Sequence, residues 1–196
     1  MNIVLATSNK GKVKEIANAM VDWHILNYTD FIAPQEIEEH GTTFAENSII
    51  KATEIAAKLP YEIILADDSG ISVPALNNEP GLFSARYAGK NATDKENLEK
   101  LCSELKKRSI KKTKAYYTAA ITVVFNKQII TTHGFCYGEV LDEPRGENGF
   151  GYDPIFIPTG YTTTFGEMDD KHKLELSHRT KGLQLMEIAL RPILRG

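Results

Sequence analysis

Hydrophobic positions in the first part of the chain alternate between strand and helix spacing. An apolar run at residues 2–6 predicts a short buried strand, and residues 24–28 predict a second one. Between them, residues 12–21 carry apolar side chains at helical spacing. Residues 43–59 form one apolar helical face, and Pro60 marks its end. Such strand–helix–strand units favour an α/β domain.

Loops rich in glycine and proline separate the elements predicted further along the chain. An apolar strand over 62–66 runs into two aspartates, and residues 69–91 predict a long structured loop. A capped helix is predicted over 94–108. Residues 141–154 form another loop, and the last helix is predicted over 178–190.

The middle of the chain has the pattern of an antiparallel hairpin. Residues 115–125 alternate apolar and polar side chains, a tight turn follows at 126–127, and a partner strand is predicted over 128–138. Parallel units with an antiparallel hairpin indicate an α/β fold with a mixed sheet, drawn out into two lobes. No linker divides the chain, so we expect residues 1–196 to form a single domain.

Composition excludes several classes of protein. The formal net charge of −3 gives no bulk signal for nucleic-acid binding. Cys102 and Cys136 lie far apart without metal-ligand spacing, which indicates a reduced, cytoplasmic protein. The start of the chain lacks the basic region of a signal peptide, and no apolar run approaches the ~20 residues of a membrane helix. We therefore expect neither a nucleic-acid nor a membrane partner.

The segment Thr7-Ser8-Asn9-Lys10-Gly11-Lys12 lies between the first predicted strand and helix. Backbone N–H groups at a helix start favour phosphate, and the lysines add positive charge. The segment is not a Walker A loop. A capped helix start with solvated lysines explains the same residues, so both interpretations stay open.

Two adjacent carboxylates, Asp67 and Asp68, follow the strand predicted over 62–66 and precede Ser69-Gly70. Ligands of α/β sheets gather at the carboxyl ends of strands, where paired carboxylates would repel each other unless a cation or a proton intervenes. Mg²⁺ prefers such oxygen ligands and works with substrate phosphates. A turn capped by aspartate is the equally good alternative.

Other candidate residues are individually weak. Glu38 and its acidic neighbours precede the second helix, where glutamate is often only a dipole partner, and Lys51 beside the apolar helix face usually only snorkels. In residues 146–154, glycines permit close backbone approach and two aromatic rings could stack on a flat ring, although rings that plug the core edge are favoured.

Taken together, the motifs resemble the inosine/xanthosine triphosphate pyrophosphatase family. They are TSNKGK, EEHGTTFAENSIIKA, ADDSG, PGLFSARYAG, GENGFGYDP, a later lysine and SHR, in that order over nearly the whole chain. One departure is Ser8, where the family usually has glycine. The resemblance implies Mg²⁺-dependent hydrolysis of ITP, dITP and XTP to the monophosphate and pyrophosphate, which keeps deaminated purines out of DNA and RNA. It also implies a homodimer with an elongated mixed sheet flanked by helices, and an active-site cleft between two lobes.

The resemblance also assigns roles to individual residues. Asp68 is implied as the general base and, with Glu38, as a metal ligand, whereas assistance from Asp67 is left open. The implied substrate-binding residues are Thr7, Ser8, Asn9, Lys10, Gly11, Lys12, Lys51, Ser69, Phe150, Gly151, Tyr152, Asp153, Lys173, His178 and Arg179. Among these, Arg179 is expected to read the 6-keto oxygen of the base, because its guanidinium only donates hydrogen bonds.

Two alternative functions fit the same residues. One is a nucleotide phosphatase that releases orthophosphate, and the other is a nucleotide-binding regulator without catalysis. The reaction products separate the first from a pyrophosphatase. A general base beside phosphate-binding lysines disfavours the second, since a pure binder has little use for a base.

Overall fold

The computed structural model describes residues 2–7 and 9–194, with side chains up to Pro192. Within these residues, seven strands form one mixed sheet. They are β1 (Asn2–Leu5), β2 (His24–Asn27), β3 (Ile64–Val73), β4 (Glu79–Pro80), β5 (Lys112–Phe125), β6 (Gln128–Leu141) and β7 (Phe156–Pro158). The helices are α1 (Lys10–Ala19), α2 (Phe44–Lys58), α3 (Asp94–Lys107), α4 (Asp170–Leu176) and α5 (His178–Leu194).

The sheet combines parallel and antiparallel pairs, as the sequence predicts. Its strand order is β2-β1-β3-β5-β6-β7, and β4 pairs with β3 off this path. The pairs β1–β2 and β1–β3 are parallel, whereas β3–β4 and β6–β7 are antiparallel. Positive φ angles of 48° at Asn126 and 63° at Lys127 confirm the predicted tight turn between β5 and β6. The α/β fold with a mixed sheet is therefore confirmed.

The strand β3 differs from its prediction. The apolar pattern predicts that the strand ends at residue 66 and that a loop begins at residue 69, but the strand continues to Val73. Its second half is buried and pairs with β4, where Ser72 lies opposite Pro80. Ser69-Gly70 has the composition of a turn, but burial and strand pairing override that local preference. Asp67 and Asp68 consequently lie inside a strand rather than at its tip.

The chain divides into two compact units. The first contains the residues up to Asp68, then Ala119–Gly134 and the residues from His178 onward. Here α1 and α5 cover one face of the sheet with a cluster that includes Ile16 and Leu183. The other face carries α2. A sheet covered on both faces explains the continuous apolar runs of β1 and β3.

The second unit contains Ser69–Thr118 and Phe135–Ser177. Its core includes one face of α3 together with Phe156 and Phe165, whose ring centroids lie 5.2 Å apart. The short helix α4 belongs to this unit and was not predicted from the sequence. No helix in the described part of the chain has the length and apolar character needed to cross a membrane.

Candidate active site

The alternation of side chains along β3 sends its two aspartates to opposite faces of the sheet. Leu65 packs in the cluster formed with α1 and α5, and Ala66 packs in the cluster formed with α2. Successive strand residues point to opposite faces, so Asp67 continues the face of Leu65 and Asp68 that of Ala66. The carboxylates therefore meet different partners, although they are neighbours in the chain.

Asp67 is a buried carboxylate held by two cations. It is 1% exposed, and its Oδ2 lies 2.7 Å from Lys12 Nζ. Its Oδ1 lies 3.3 Å from Arg179 Nε. Burial acts to raise the pKa of Asp67, but Arg179 and Lys12 outweigh it and hold that pKa below its ordinary value. Asp67 is therefore a fixed anion at neutral pH.

Arg179 lies at the start of α5 and is 2% exposed. Its Nη1 donates to Glu15 Oε2 on α1. Burial favours the neutral form, yet Asp67 and Glu15 hold the pKa of Arg179 above its ordinary value. The helix reaches this position because β6 has Gly134, where a side-chain Cβ would lie only 1.9 Å from His178 O.

Asp68 meets a different cation on the other face of the sheet. Its Oδ1 lies 2.8 Å from Lys51 Nζ on α2, and the same nitrogen lies 3.1 Å from Glu39 Oε1. Burial raises the pKa of Asp68 above its ordinary value, although Lys51 opposes the shift. Burial also disfavours the charged form of Lys51, but Asp68 and Glu39 raise its pKa.

The pKa values of the two neighbouring aspartates are thus shifted in opposite directions. One is held ionised by buried cations, and the other is shifted toward the protonated form. Opposed environments of this kind separate a permanent charge from an acid–base group. Asp68, with 7% of its surface exposed, has the character that a general base requires.

The loop before α1 is a capped helix start, as one of the two interpretations predicted, but Lys12 is not the solvated lysine of that interpretation, because its Nζ lies 2.7 Å from Asp67 Oδ2. Asn9 is the N-cap, and its Oδ1 accepts a hydrogen bond of 3.1 Å from Lys12 N. Thr7 Oγ1 accepts from Asn9 N at 3.2 Å. Lys10 is exposed, and Gly11 is half-buried. Ser8 lies outside the described residues, and phosphate binding by this loop stays a prediction.

The acidic segment before α2 places its two glutamates in different surroundings. Glu38, the predicted metal ligand, is exposed, and its backbone oxygen lies 3.2 Å from His40 Nδ1. Its neighbour Glu39 is the carboxylate that shares Lys51 with Asp68. The role of Glu38 as a metal ligand therefore stays a prediction, and Glu39 joins it as a candidate.

The donor set fits a hard cation that also uses substrate oxygens. Among the described residues, no group of three or more histidine, cysteine, aspartate or glutamate side chains is arranged to hold a metal. Mg²⁺ usually takes one or two carboxylates and completes its shell with water and phosphate oxygens. Asp68 with one nearby glutamate fits that mode of binding.

A second group of predicted residues lies in the second unit, around Asp153. Asp153 Oδ2 accepts from Phe150 N at 2.8 Å and lies 2.7 Å from Lys173 Nζ. The lysine nitrogen also lies 4.5 Å from the centroid of the Phe150 ring. Gly149 has φ +79°, and a Cβ there would lie 2.2 Å from Asp153 Oδ2, so the turn requires glycine.

The neighbouring aromatic residue, Tyr152, packs in the core of the second unit instead. Tyr152 is 5% exposed, and its hydroxyl donates to Ser84 O at 2.8 Å. Gly151 N donates to Asp94 Oδ2 at the start of α3. Of the two rings expected to stack on a base, Phe150 is therefore the accessible one. Ser69 is half-buried.

Two residues of these groups were not identified from the sequence. Glu15 lies one helical turn after Lys12 and appeared as an ordinary polar residue of α1. Asp94 appeared only as part of a helix start. Neither has a local signal, because their partners are 164 and 57 positions away in the chain.

A comparison with protein families covers nearly the whole chain. The model described as the Ham1 family matches residues 3–188. The chain belongs to the Ham1 family. The match spans all of the motifs that suggested triphosphate pyrophosphatases, and the predicted resemblance is confirmed.

Relatives and solved structures of Ham1 proteins agree over nearly the full length. The chain is 58% identical to the dITP/XTP pyrophosphatase of Nautilia profundicola, over 98% of this chain and 99% of the relative. It is 49% identical to the protein of that name from Aliarcobacter butzleri, over 99% and 100%. The HAM1 structure from Coxiella burnetii has a TM-score of 0.86 at 40% identity, covering 97% of this chain and 98% of that one. The Ham1 structure from Staphylococcus aureus has a TM-score of 0.85 at 36% identity, covering 98% and 99%.

Proposed function

We propose that this chain is a dITP/XTP pyrophosphatase. It hydrolyses the triphosphates of deaminated purines, namely ITP, dITP and XTP, to the monophosphate and pyrophosphate. The observation that carries the proposal is the buried carboxylate Asp68, with its raised pKa, beside a lysine in a chain whose full-length relatives bear that name. Removal of these nucleotides from the pool keeps deaminated bases out of DNA and RNA.

The reaction needs a base for water and a positive charge for the leaving group. In the proposed mechanism, Asp68 takes a proton from the water whose oxygen attacks the α-phosphorus. The bond from that phosphorus to the bridging oxygen breaks, and pyrophosphate leaves with the electron pair. Lys12 and Lys51 lie against the pair of aspartates and offset the charge of the phosphates.

Asp68 would hold Mg²⁺ together with Glu38. Glu39 is the alternative second ligand, because its carboxylate and that of Asp68 contact the same lysine, Lys51. When bound, the ion neutralises phosphate charge and polarises the phosphoryl oxygens. In the second unit, Phe150 is proposed to stack on the base, and Lys173 and Asp153 are proposed to bind the nucleotide beside that ring. Reading of the 6-keto oxygen by Arg179 stays a prediction that the structure does not favour, since its guanidinium is 2% exposed and binds Glu15 and Asp67. A homodimer and a cytoplasmic location complete the proposal.

The test of this function is a product assay. We expect dITP, ITP and XTP to yield pyrophosphate and the monophosphate with Mg²⁺, and the four common nucleoside triphosphates to be turned over much more slowly. Anion chromatography distinguishes pyrophosphate from orthophosphate. Release of orthophosphate alone would indicate a nucleotide phosphatase, and binding without turnover would indicate a regulator.

The choice between the two glutamates is tested by a matched pair of variants. We expect Glu38→Gln to raise the Mg²⁺ concentration needed for half-maximal hydrolysis of dITP, with recovery at high Mg²⁺, because an amide oxygen is a weaker ligand. Glu39→Gln should leave that concentration near the wild-type value if the role of Glu39 is limited to its contact with Lys51 at 3.1 Å. The measurement is a Mg²⁺ titration of initial rates, and the reverse pattern would assign the ligand to Glu39.

A further inference from the structure

Four ionised side chains form a buried ion cluster on one face of the sheet: Glu15, Lys12, Asp67 and Arg179. Glu15 is 8% exposed, and Asp67 and Arg179 are more deeply buried. The lysine side chain is the most accessible, with 16% of its surface exposed. Two positive and two negative charges balance, so the cluster is neutral as a set. Lys12 is the member of the cluster that is proposed to bind phosphate.

Distances within the buried ion cluster show how Asp67 is shared. Lys12 Nζ lies 2.7 Å from Asp67 Oδ2, whereas the contacts of Arg179 with the same carboxylate are longer, at 3.3 and 3.4 Å. Arg179 also donates to Glu15. The guanidinium is thus divided between two carboxylates, and the closer contact of Asp67 is with the lysine.

A neutral side chain at position 15 would change this division. The cluster would then contain two cations and a single carboxylate, that of Asp67. An unbalanced buried charge lowers the free energy of unfolding. Arg179 would then interact more strongly with Asp67 and would compete with Lys12 for its carboxylate. Lys12 is sensitive to such a change, because burial lowers its pKa and Asp67 is the main group that opposes this effect.

We infer that Glu15 is a positioning residue for Lys12. By binding Arg179, it leaves Asp67 to orient the lysine ammonium toward the triphosphate. This inference rests on the proposed function, since it assigns Lys12 to the phosphates. A buried ion pair of purely structural value is the competing explanation, and it predicts a loss of stability that does not depend on Lys12.

A double-mutant cycle separates these explanations. Glu15→Gln keeps the size of the side chain and removes its charge. We expect it to lower kcat/KM for dITP roughly tenfold, within the range that coupled neighbours show. In a Lys12→Ala background, the same change should lower kcat/KM by less than about twofold, because the lysine that it positions is gone. Equal losses in both backgrounds would overturn the inference.

Binding of inorganic pyrophosphate with Mg²⁺ gives a readout that is independent of turnover. Calorimetry should show weaker binding in Glu15→Gln and unchanged binding in the control Glu54→Gln, an exposed glutamate on α2. Unchanged binding in both variants would count against the inference. A wild-type protein that does not hydrolyse dITP would instead overturn the proposed function.

Thermal unfolding establishes that the compared variants are folded. Should Glu15→Gln fail to fold, Glu15→Asp carries the same cycle, because it keeps the charge and shortens the side chain by one methylene. Its loss in kcat/KM should be smaller than the loss expected for Glu15→Gln, and it should likewise disappear in the Lys12→Ala background. Persistence of the loss there would overturn the inference as well.

Discussion

Asp68→Asn should remove most of the hydrolysis of dITP. A general base contributes about 10²- to 10⁴-fold to a rate, and an amide neither accepts the proton of water nor binds Mg²⁺ as well as a carboxylate does. We expect kcat to fall by that factor, measured as pyrophosphate release under saturating substrate and Mg²⁺. The fall should persist at high Mg²⁺, because added metal does not restore a base.

The fold should survive this substitution, which makes the result interpretable. Asparagine has nearly the shape of aspartate, and Lys51 retains Glu39 at 3.1 Å as a counter-charge. An unchanged melting temperature together with near wild-type turnover would exclude Asp68 as the base. An unfolded variant would show that the pair with Lys51 is needed for stability, and that outcome is visible in the same melting curve.

Lys12→Ala should lower kcat/KM for dITP by roughly one to three orders of magnitude, the range for a lost electrostatic stabiliser. The leaving pyrophosphate carries several negative charges, and Lys12 is the partly exposed cation of the buried ion cluster. Steady-state kinetics on folded protein measures the effect. Lys14→Ala is the control, because Lys14 is an exposed lysine on the same helix. Equal kinetics in the two variants would make Lys12 an ordinary buried partner of Asp67.

Local patterns predicted most of the framework and failed where burial overrides composition. The helical face of residues 43–59 corresponds to α2 (Phe44–Lys58), and the predicted hairpin corresponds to β5 and β6. The continuation of β3 beyond Ser69-Gly70 was missed because those residue types favour turns. Strand pairing with β4 decides that segment, and such pairing has no local signal.

The candidate site shows the same division. The motifs identified Asp68, Lys12 and Lys51, which the structure brings to the two faces of β3. Glu15 was not identified, because its importance arises from Arg179 at the far end of the chain. The sequence also treats Phe150 and Tyr152 alike, whereas packing puts the second ring in the core. Motifs show which chemistry is available, and tertiary contacts decide which side chain performs it.

The placement of Asp67 and Asp68 on opposite faces makes the register of β3 critical. A strand has a period of two, so one inserted or deleted residue between Ile64 and the pair would turn each aspartate to the other face and move it one position along the strand. One carboxylate would then take the place of its neighbour, and the other would lose its cationic partners. Evolution can therefore tune either carboxylate through its own helices, but an insertion or deletion of one residue in this strand would alter both at once.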